Sequence, residues 1–102
     1  MANTKVSIKV VSNAKKLYIV GSTKNLGEWN PKKAVELEYC ENCKAFYTDK
    51  LFPVGENVEF KVLSGKDWEY VEKGAYGEEV ENHSFTPSKG LELVIEVLNF
   101  AK

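Results

Sequence analysis

The sequence has little of what most active sites and nucleic-acid surfaces need. It contains one histidine, so the imidazole base of a Ser/His or Cys/His nucleophile pair has a single candidate, His83. Positive charge is not in excess, because 14 Lys and Arg face 15 Asp and Glu for a net charge of -1. Apolar runs such as residues 93–95 are far shorter than the roughly 20 residues that cross a bilayer. These shortages predict a soluble domain with no nucleic-acid or membrane partner.

The length of 102 residues, 43% of them hydrophobic, is that of one small domain, so residues 1–102 are predicted to form a single module. Met1 to Thr4 lead directly into the alternating segment 6–10, without the charged and apolar regions of a signal peptide. We interpret Met1 as an added start on a module cut from a longer protein, so this end does not give the native compartment. A monomer is the default expectation.

Alternation of apolar and polar residues dominates the chain, and helical stripes of useful length are absent. Extended segments separated by Gly and Pro turns indicate an all-β fold, an antiparallel β-sandwich of about seven or eight strands. The predicted strands lie near residues 6–10, 17–20, 34–39, 44–52, 57–63, 84–86 and 91–100. Residues 72–82, with two glycines and four glutamates, are predicted to be a solvated loop.

One predicted hairpin determines where a lysine points. Pro53 to Glu56 form the turn, and Val58, Phe60 and Val62 then share one face of the second strand. Lys61 falls on the opposite face and is therefore predicted to point away from the core.

The residues that could carry catalysis are few. His83 lies between Asn82 and Ser84, where a surface or strand-edge role is expected. Paired acids such as Glu78 and Glu79 are usual in acidic loops, and nothing in the sequence places two of them across a cleft. No enzymatic activity and no cofactor are predicted.

Two cysteines, Cys40 and Cys43, have the spacing of a redox motif or of half a zinc site. A closed zinc site needs four ligands, and only His83 could add a further soft one, so no metal is predicted. Glu38 and Glu41 flank the first thiol and are expected to oppose formation of its thiolate. The pair is expected to form either a local disulfide or two free thiols in a turn.

Both tryptophans lie in turn-rich segments. Trp29 stands between Gly27 and Pro31, and Trp68 follows Gly65 and Asp67. Indoles on loops either plug the end of a sandwich or stand exposed as a binding surface. Two of them, with Lys61 aimed outward, favour a recognition surface.

These segments together resemble a known family. The matching segments are Leu17 to Gly21, Asn25 to Pro31, Phe52 to Gly55, Val58 to Val62, Trp68-Glu69 and Asn82-His83. In this order they are similar to a starch-binding domain of carbohydrate-binding module family 20. The resemblance implies an immunoglobulin-like β-sandwich that binds α-1,4-glucans such as starch, glycogen, maltooligosaccharides and cyclodextrins without cleaving them.

The resemblance also implies two sites. The first would use Trp29 and Trp68 as stacking platforms, with Lys61, Glu69 and Asn82 as polar partners. The second, on a different face, would use Tyr39 and Phe46 beside the cysteine turn, although these residues could equally pack the sheet. The sequence departs from the family where Phe46 replaces a frequent tryptophan and where His83 replaces a common arginine. Tyr76, in the acidic loop, is a possible accessory contact.

The family's members imply a module tethered to a larger amylolytic protein, with an α-glucan as partner and an extracellular location. The alternative is a structural or protein-interaction sandwich in which Trp29 and Trp68 are buried against loops. The exposure of the two indoles distinguishes these hypotheses.

Overall fold

The computed structural model describes residues 2–102; Met1, interpreted above as an added start, lies outside the described residues. Ten strands and three short 3-10 helices make up this part of the chain. The strands are β1 (Asn3–Val11), β2 (Tyr18–Gly21), β3 (Val35–Glu36), β4 (Glu38–Cys40), β5 (Ala45–Pro53), β6 (Val58–Leu63), β7 (Glu72–Lys73), β8 (His83–Phe85), β9 (Glu92–Glu96) and β10 (Asn99–Phe100). Within residues 2–102 no helix is long and apolar enough to span a membrane.

Two four-stranded sheets form the sandwich. The first has the order β4-β5-β1-β9 and the second the order β3-β2-β6-β8, while β7 and β10 form a separate pair. The predicted all-β sandwich is therefore confirmed. One pair departs from the antiparallel expectation, because β9 runs parallel to β1. Parallel neighbours need a long connection, which the chain from β1 to β9 supplies by passing through both sheets.

The predicted alternation of faces is confirmed at the core. Val6, Ile8 and Val10 of β1 are fully buried, and the inward residues Val58, Phe60 and Val62 of β6 pack in the same cluster. Lys61 lies on the other face of β6 and is only half-buried. The hairpin that precedes it turns at Gly55, which has a φ of 84°.

Two predicted segments differ from the structure. The predicted final strand, residues 91–100, is split into β9 and β10, because Val97 still pairs beside Val11 of the first sheet but Ala101 donates to Val71 beside the second. The predicted loop 72–82 begins with strand β7, whose Glu72 is 3% exposed. A strand of two residues has too few side chains to show an alternation. The structure therefore has ten strands, whereas the sequence predicted seven or eight.

The second sheet also carries apolar residues on its outer face. Val20 and Leu63 are fully buried there together with Ala34, and Trp29 packs against this outer cluster. Both faces of the β2–β6 pair are thus covered, and the outer cover is what positions the first tryptophan.

Gly21 allows β2 and β6 to approach each other closely at the end of their pairing. A Cβ atom at this position would lie against the backbone carbonyl oxygen of Glu59, closer than van der Waals contact allows. The same Glu59 oxygen accepts the N–H of Ser22 at 2.9 Å, so the backbone cannot move aside without losing a hydrogen bond.

We expect Gly21→Ala to lower the free energy of unfolding by about 1–3 kcal/mol, the usual cost of forcing an atom into a packed region. Gly55→Ala is the matched control, because its Cβ would meet nothing within 4 Å and only its positive φ is strained, at about 1–2 kcal/mol. Urea unfolding of both variants measures the difference. Wild-type stability of Gly21→Ala would contradict the close approach.

Candidate functional site

A groove of about 460 Å³ opens on the outer face of the second sheet. Four of the five residues predicted for the first site line it: Trp29, Lys61, Trp68 and Asn82. The groove also includes Val71, Glu72, Lys73, Glu79 and Ala101, which the sequence analysis did not assign to a site. Its size is within the range of small-ligand sites, which combine apolar walls with a few placed polar groups.

Trp29 is held by an unusual backbone. Its φ is 63° and that of Glu28 is 50°, so two consecutive residues other than glycine are in the left-handed region. The Trp29 N–H donates to the Gly21 carbonyl oxygen at 2.8 Å, and the Glu28 N–H donates to the Thr23 carbonyl oxygen at 3.0 Å. Such conformations persist where the surroundings over-determine them, and they concentrate at functional sites.

The loop that carries Trp29 is tied to the opposite sheet as well. The Asn25 amide nitrogen donates to the carbonyl oxygen of Leu51 on β5 at 2.7 Å. The buried side chain of Leu26 adds an apolar anchor in the core. Trp29 is therefore placed by a loop fixed at several points.

Trp68 begins the 3-10 helix Trp68–Tyr70. Asp67 caps this turn, since its Oδ1 accepts the Glu69 N–H at 3.2 Å. Trp68 is 40% exposed, and its ring centroid lies 6.4 Å from that of Trp29 with 29° between the planes. The two indoles therefore form one aromatic surface in the wall of the groove.

The two predicted polar residues that line the groove, Lys61 and Asn82, already have partners within the chain. Lys61 Nζ donates to the Val80 carbonyl oxygen at 2.5 Å, and Asn82 Nδ2 donates to Glu59 Oε1 at 3.0 Å. An ammonium has three N–H donors and an amide nitrogen has two, so each group keeps at least one donor for a ligand. The intrachain bonds leave the side chains oriented before any ligand arrives.

Glu69 is not brought together with the other four predicted residues. It is absent from the groove lining, and its Oε2 lies 3.4 Å from Lys102 Nζ in an exposed ion pair. The 3-10 turn explains this placement, because consecutive residues of such a turn point in different directions.

Glu72, which is buried, and His83, which is half-buried, form a pair that sequence reasoning missed. Glu72 Oε2 accepts the backbone N–H of Val62 at 2.6 Å, and His83 Nε2 lies 2.7 Å from Glu72 Oε1. The His83 ring packs on Phe60, with 5.1 Å between centroids. The predicted surface or strand-edge place of His83 is thus refined to a half-buried position in β8. No local sequence pattern predicts this pair, because the two residues lie 11 positions apart in the chain.

Lys73 and Glu79 also line the groove. Their side chains make an ion pair at 3.8 Å, and that of Glu79 is 90% exposed. The Lys73 side chain is mostly buried, so Glu79 is the member of this pair that is open to a ligand. Sequence reasoning missed them because the acidic segment was assigned to solvent.

A second, more open groove of about 690 Å³ includes Tyr39 and Phe46. Tyr39 is 51% exposed, but Phe46 is 3% exposed and belongs to the core. This burial fits the alternative that Phe46 packs the sheet, and its ring meets that of Tyr39 edge-on, with 5.0 Å between centroids and 62° between planes. Tyr39 alone keeps an open face.

Tyr47 also lines this second groove and was not predicted. Its hydroxyl hydrogen-bonds to the Glu38 carboxylate, and this bond raises the pKa of Tyr47 above its usual value because it favours the protonated phenol. Tyr76, the possible accessory contact, lies at the tip of its loop, is 94% exposed and lines neither groove.

Within residues 2–102, no group of three or more His, Cys, Asp or Glu side chains is arranged to hold a metal ion. Cys40 and Cys43 are both free thiols.

A β-sandwich whose open groove combines two neighbouring indoles with a few oriented polar groups has the features of a carbohydrate-binding module. The comparisons with known proteins are consistent with this class. The family model described as starch binding domain (CBM20) matches residues 3–93. The chain belongs to this family, carbohydrate-binding module family 20, and the resemblance drawn from its residues is confirmed.

Known proteins that are similar to this chain are amylolytic enzymes. A cyclomaltodextrin glucanotransferase of Niallia circulans is 32% identical over 100 residues, covering 88% of this chain and 13% of that protein. Glucoamylase-1 of Arthroderma benhamiae is 36% identical over 58 residues, covering 54% of this chain and 10% of that protein. The chain thus spans about an eighth of the length of the glucanotransferase.

A solved structure shows the same fold. The family 20 module of the maltotetraose-forming amylase from Pseudomonas saccharophila STB07 superposes with a TM-score of 0.67 at 21% identity, covering 91% of this chain and 99% of that one. Domains of this family bind starch-type glucans, are not themselves catalytic, and are found in amylolytic enzymes.

We expect Glu72→Ala to lower the free energy of unfolding by about 1–3 kcal/mol, because the Val62 N–H would be left buried without an acceptor. Glu72→Gln should lower the free energy of unfolding by less, since the amide oxygen of Gln can still accept a hydrogen bond from that N–H. Thermal unfolding measures both, and 1 kcal/mol corresponds to about 4–8 °C for a domain of this size. Equal losses in the two variants would show that the charge, and not the acceptor, is what matters.

Proposed function

We propose that this chain binds α-1,4-glucans, such as starch, glycogen, maltooligosaccharides and cyclodextrins, by stacking glucose rings on Trp29 and Trp68. The observation that carries the proposal is the placement of both indoles in one groove with Lys61 and Asn82. The chain itself does not cleave the glucan. Its role is to hold a larger amylolytic protein, to which it is tethered, close to a polysaccharide at high effective concentration.

Stacking supplies the apolar part of the interaction. The axial C–H groups of a glucopyranose ring form a slightly positive apolar face that fits the electron-rich face of an indole. Planes inclined by 29° suit a chain of sugars that curves, as a helical α-glucan does. A flat β-linked chain would stack in parallel on only one of the two indole rings.

Polar groups then fix the orientation of the sugar. Lys61 and Asn82 keep N–H donors for ring hydroxyls, and Glu79 offers a carboxylate acceptor. Glu69 pairs with Lys102 instead of lining the groove, so its contribution is expected to be smaller. Two stacked sugars and a few hydrogen bonds, less ordering costs, should give a Kd of about 10–200 µM.

The direct test is calorimetric titration with β-cyclodextrin. We expect Trp68→Ala to weaken binding by about 2 kcal/mol or more, roughly 30-fold in Kd, because central aromatic residues dominate such sites. Trp68 is the cleaner of the two test positions, because Trp29 also packs on the outer cluster and its removal should cost stability as well.

Leu51→Ala is the matched control, since Leu51 is 59% exposed and lines neither groove. It should bind as the wild type does, and a xylooligosaccharide should give no heat with any variant. Unchanged cyclodextrin affinity in Trp68→Ala, or no binding by the wild type at millimolar ligand, would reject the proposed site.

The alternative is a structural or protein-interaction module. Its supporting observation is that Trp29 is partly buried against the outer cluster. Under that hypothesis the wild-type chain binds no sugar, and Trp68→Ala would lower the midpoint temperature of thermal unfolding. The exposure of Trp68 favours the glucan-binding proposal.

We further propose that the second groove binds a glucan through Tyr39, with Tyr47 beside it and without direct stacking on Phe46. Tyr39→Ala should then reduce the cyclodextrin stoichiometry from two sites to one and leave the Trp68-dependent site intact. Titration at high protein concentration measures this. A stoichiometry of one in the wild type would restrict binding to the first groove.

A further inference from the structure

The turn between β4 and β5 holds two thiols three residues apart, with the backbone of one in contact with the sulfur of the other. β4 ends at Cys40, β5 begins at Ala45, and these two residues face each other across the hairpin. The loop between them places Cys43 so that its N–H donates to Cys40 Sγ at 3.1 Å. Cys43 is exposed and Cys40 is half-buried, so both thiols can be reached from solvent.

The backbone of the turn makes the two sulfur atoms unequal. Cys40 Sγ accepts a hydrogen bond from the backbone N–H of Cys43, and the described residues give no such bond to the sulfur of Cys43. Lys44 closes the loop with a φ of 53°, a left-handed conformation that brings the chain back toward β5. Hydrogen bonds to a thiolate favour it over the thiol, so the geometry points to Cys40 as the more reactive sulfur.

The effect on the two pKa values has the same direction. The hydrogen bonds from Cys43 lower the pKa of Cys40, while the shared thiol hydrogen bond raises the pKa of Cys43. The pKa of Cys40 is lowered although Glu38 and Glu41 flank it in the sequence, because the hydrogen bonds from Cys43 outweigh the effect expected from these two acids.

We propose that Cys40 and Cys43 form a thiol–disulfide exchange site whose reactant is a small-molecule disulfide of the glutathione type. The Cys40 thiolate attacks one sulfur of that disulfide, forms a mixed disulfide and releases one glutathione thiolate. Cys43 then loses its proton to solvent and attacks Cys40 Sγ. This step closes an intramolecular disulfide and releases the second glutathione, so that two protein thiols are oxidised as one small disulfide is reduced.

The site goes beyond glucan binding and does not depend on it. It lies next to Tyr39, so closing the disulfide would fix the hairpin end that carries this tyrosine. The experiment below uses no sugar, and its failure would leave the proposed glucan-binding function untouched.

The reduced chain is incubated with excess oxidised glutathione near pH 7.5, and the reaction is quenched with acid. The mass of the intact protein is then measured by mass spectrometry. We expect the wild type to lose the mass of two hydrogens and to retain no glutathione. Cys43→Ser should stop at a stable adduct of one glutathione on Cys40, because the resolving thiol is missing. Cys40→Ser should form its adduct several-fold more slowly, since Cys43 lacks the N–H donors that favour the Cys40 thiolate.

Several results would overturn the proposal. These are two unreacted thiols, a persistent adduct of two glutathiones in the wild type, or a disulfide-linked dimer as the main product. Equal adduct rates in Cys43→Ser and Cys40→Ser would refute the assignment of Cys40 as the attacking sulfur. Circular dichroism of both serine variants shows whether the chain is still folded, and the exposed turn makes serine a mild replacement.

Discussion

The pairing of β2 with β6 is the contact on which the rest of the structure depends. Ile19, Phe60 and Val62 face the interior of the sandwich from this pair, while Val20 and Leu63 support the outer cluster. One two-stranded unit thus supplies part of the core and the floor of the groove. Any change that separates the two strands would disturb stability and the proposed binding surface together.

The proposed binding surface is made mostly by segments that leave this two-stranded unit, with Lys61 contributed by β6 itself. Trp29 follows the end of β2, and Trp68 and Lys73 follow the end of β6. Loops are usually mobile, but here capping side chains, backbone hydrogen bonds and a left-handed pair of residues limit their freedom. A site of this kind is arranged before a ligand arrives, which lowers the entropic cost of binding.

The sequence allowed much of this to be predicted, and the reasons for success and failure are physical. Alternation in β1 and β6 marked the buried faces and the outward direction of Lys61, because a strand shows its faces every second residue. The grouping of Trp29 with Trp68 came from the family resemblance, since 39 residues of chain separate them and no local pattern connects them.

What could not be predicted depends on contacts between distant segments. Phe46 lies in the core, where its ring meets that of Tyr39 edge-on, and Glu69 pairs with Lys102 instead of lining the groove. Glu72 looked like one of several solvent-facing acids, and only the fold shows that a backbone N–H of β6 needs its oxygen. Side chains that complete a sheet from outside leave no periodic trace in a sequence.

The Glu72 carboxylate also has a consequence for the aggregation of this protein. β8 pairs with β6 only as far as Phe60, and Val71 bridges to β6 again at Leu63. An unpaired N–H between these two contacts would be an open strand edge, and open edges are templates on which another chain can add a strand and begin to aggregate. By placing a side-chain oxygen on the Val62 N–H, Glu72 fills this gap between the two backbone partners. The groove can therefore stay open to a ligand while the adjoining edge of β6 offers no free N–H at Val62 to another chain.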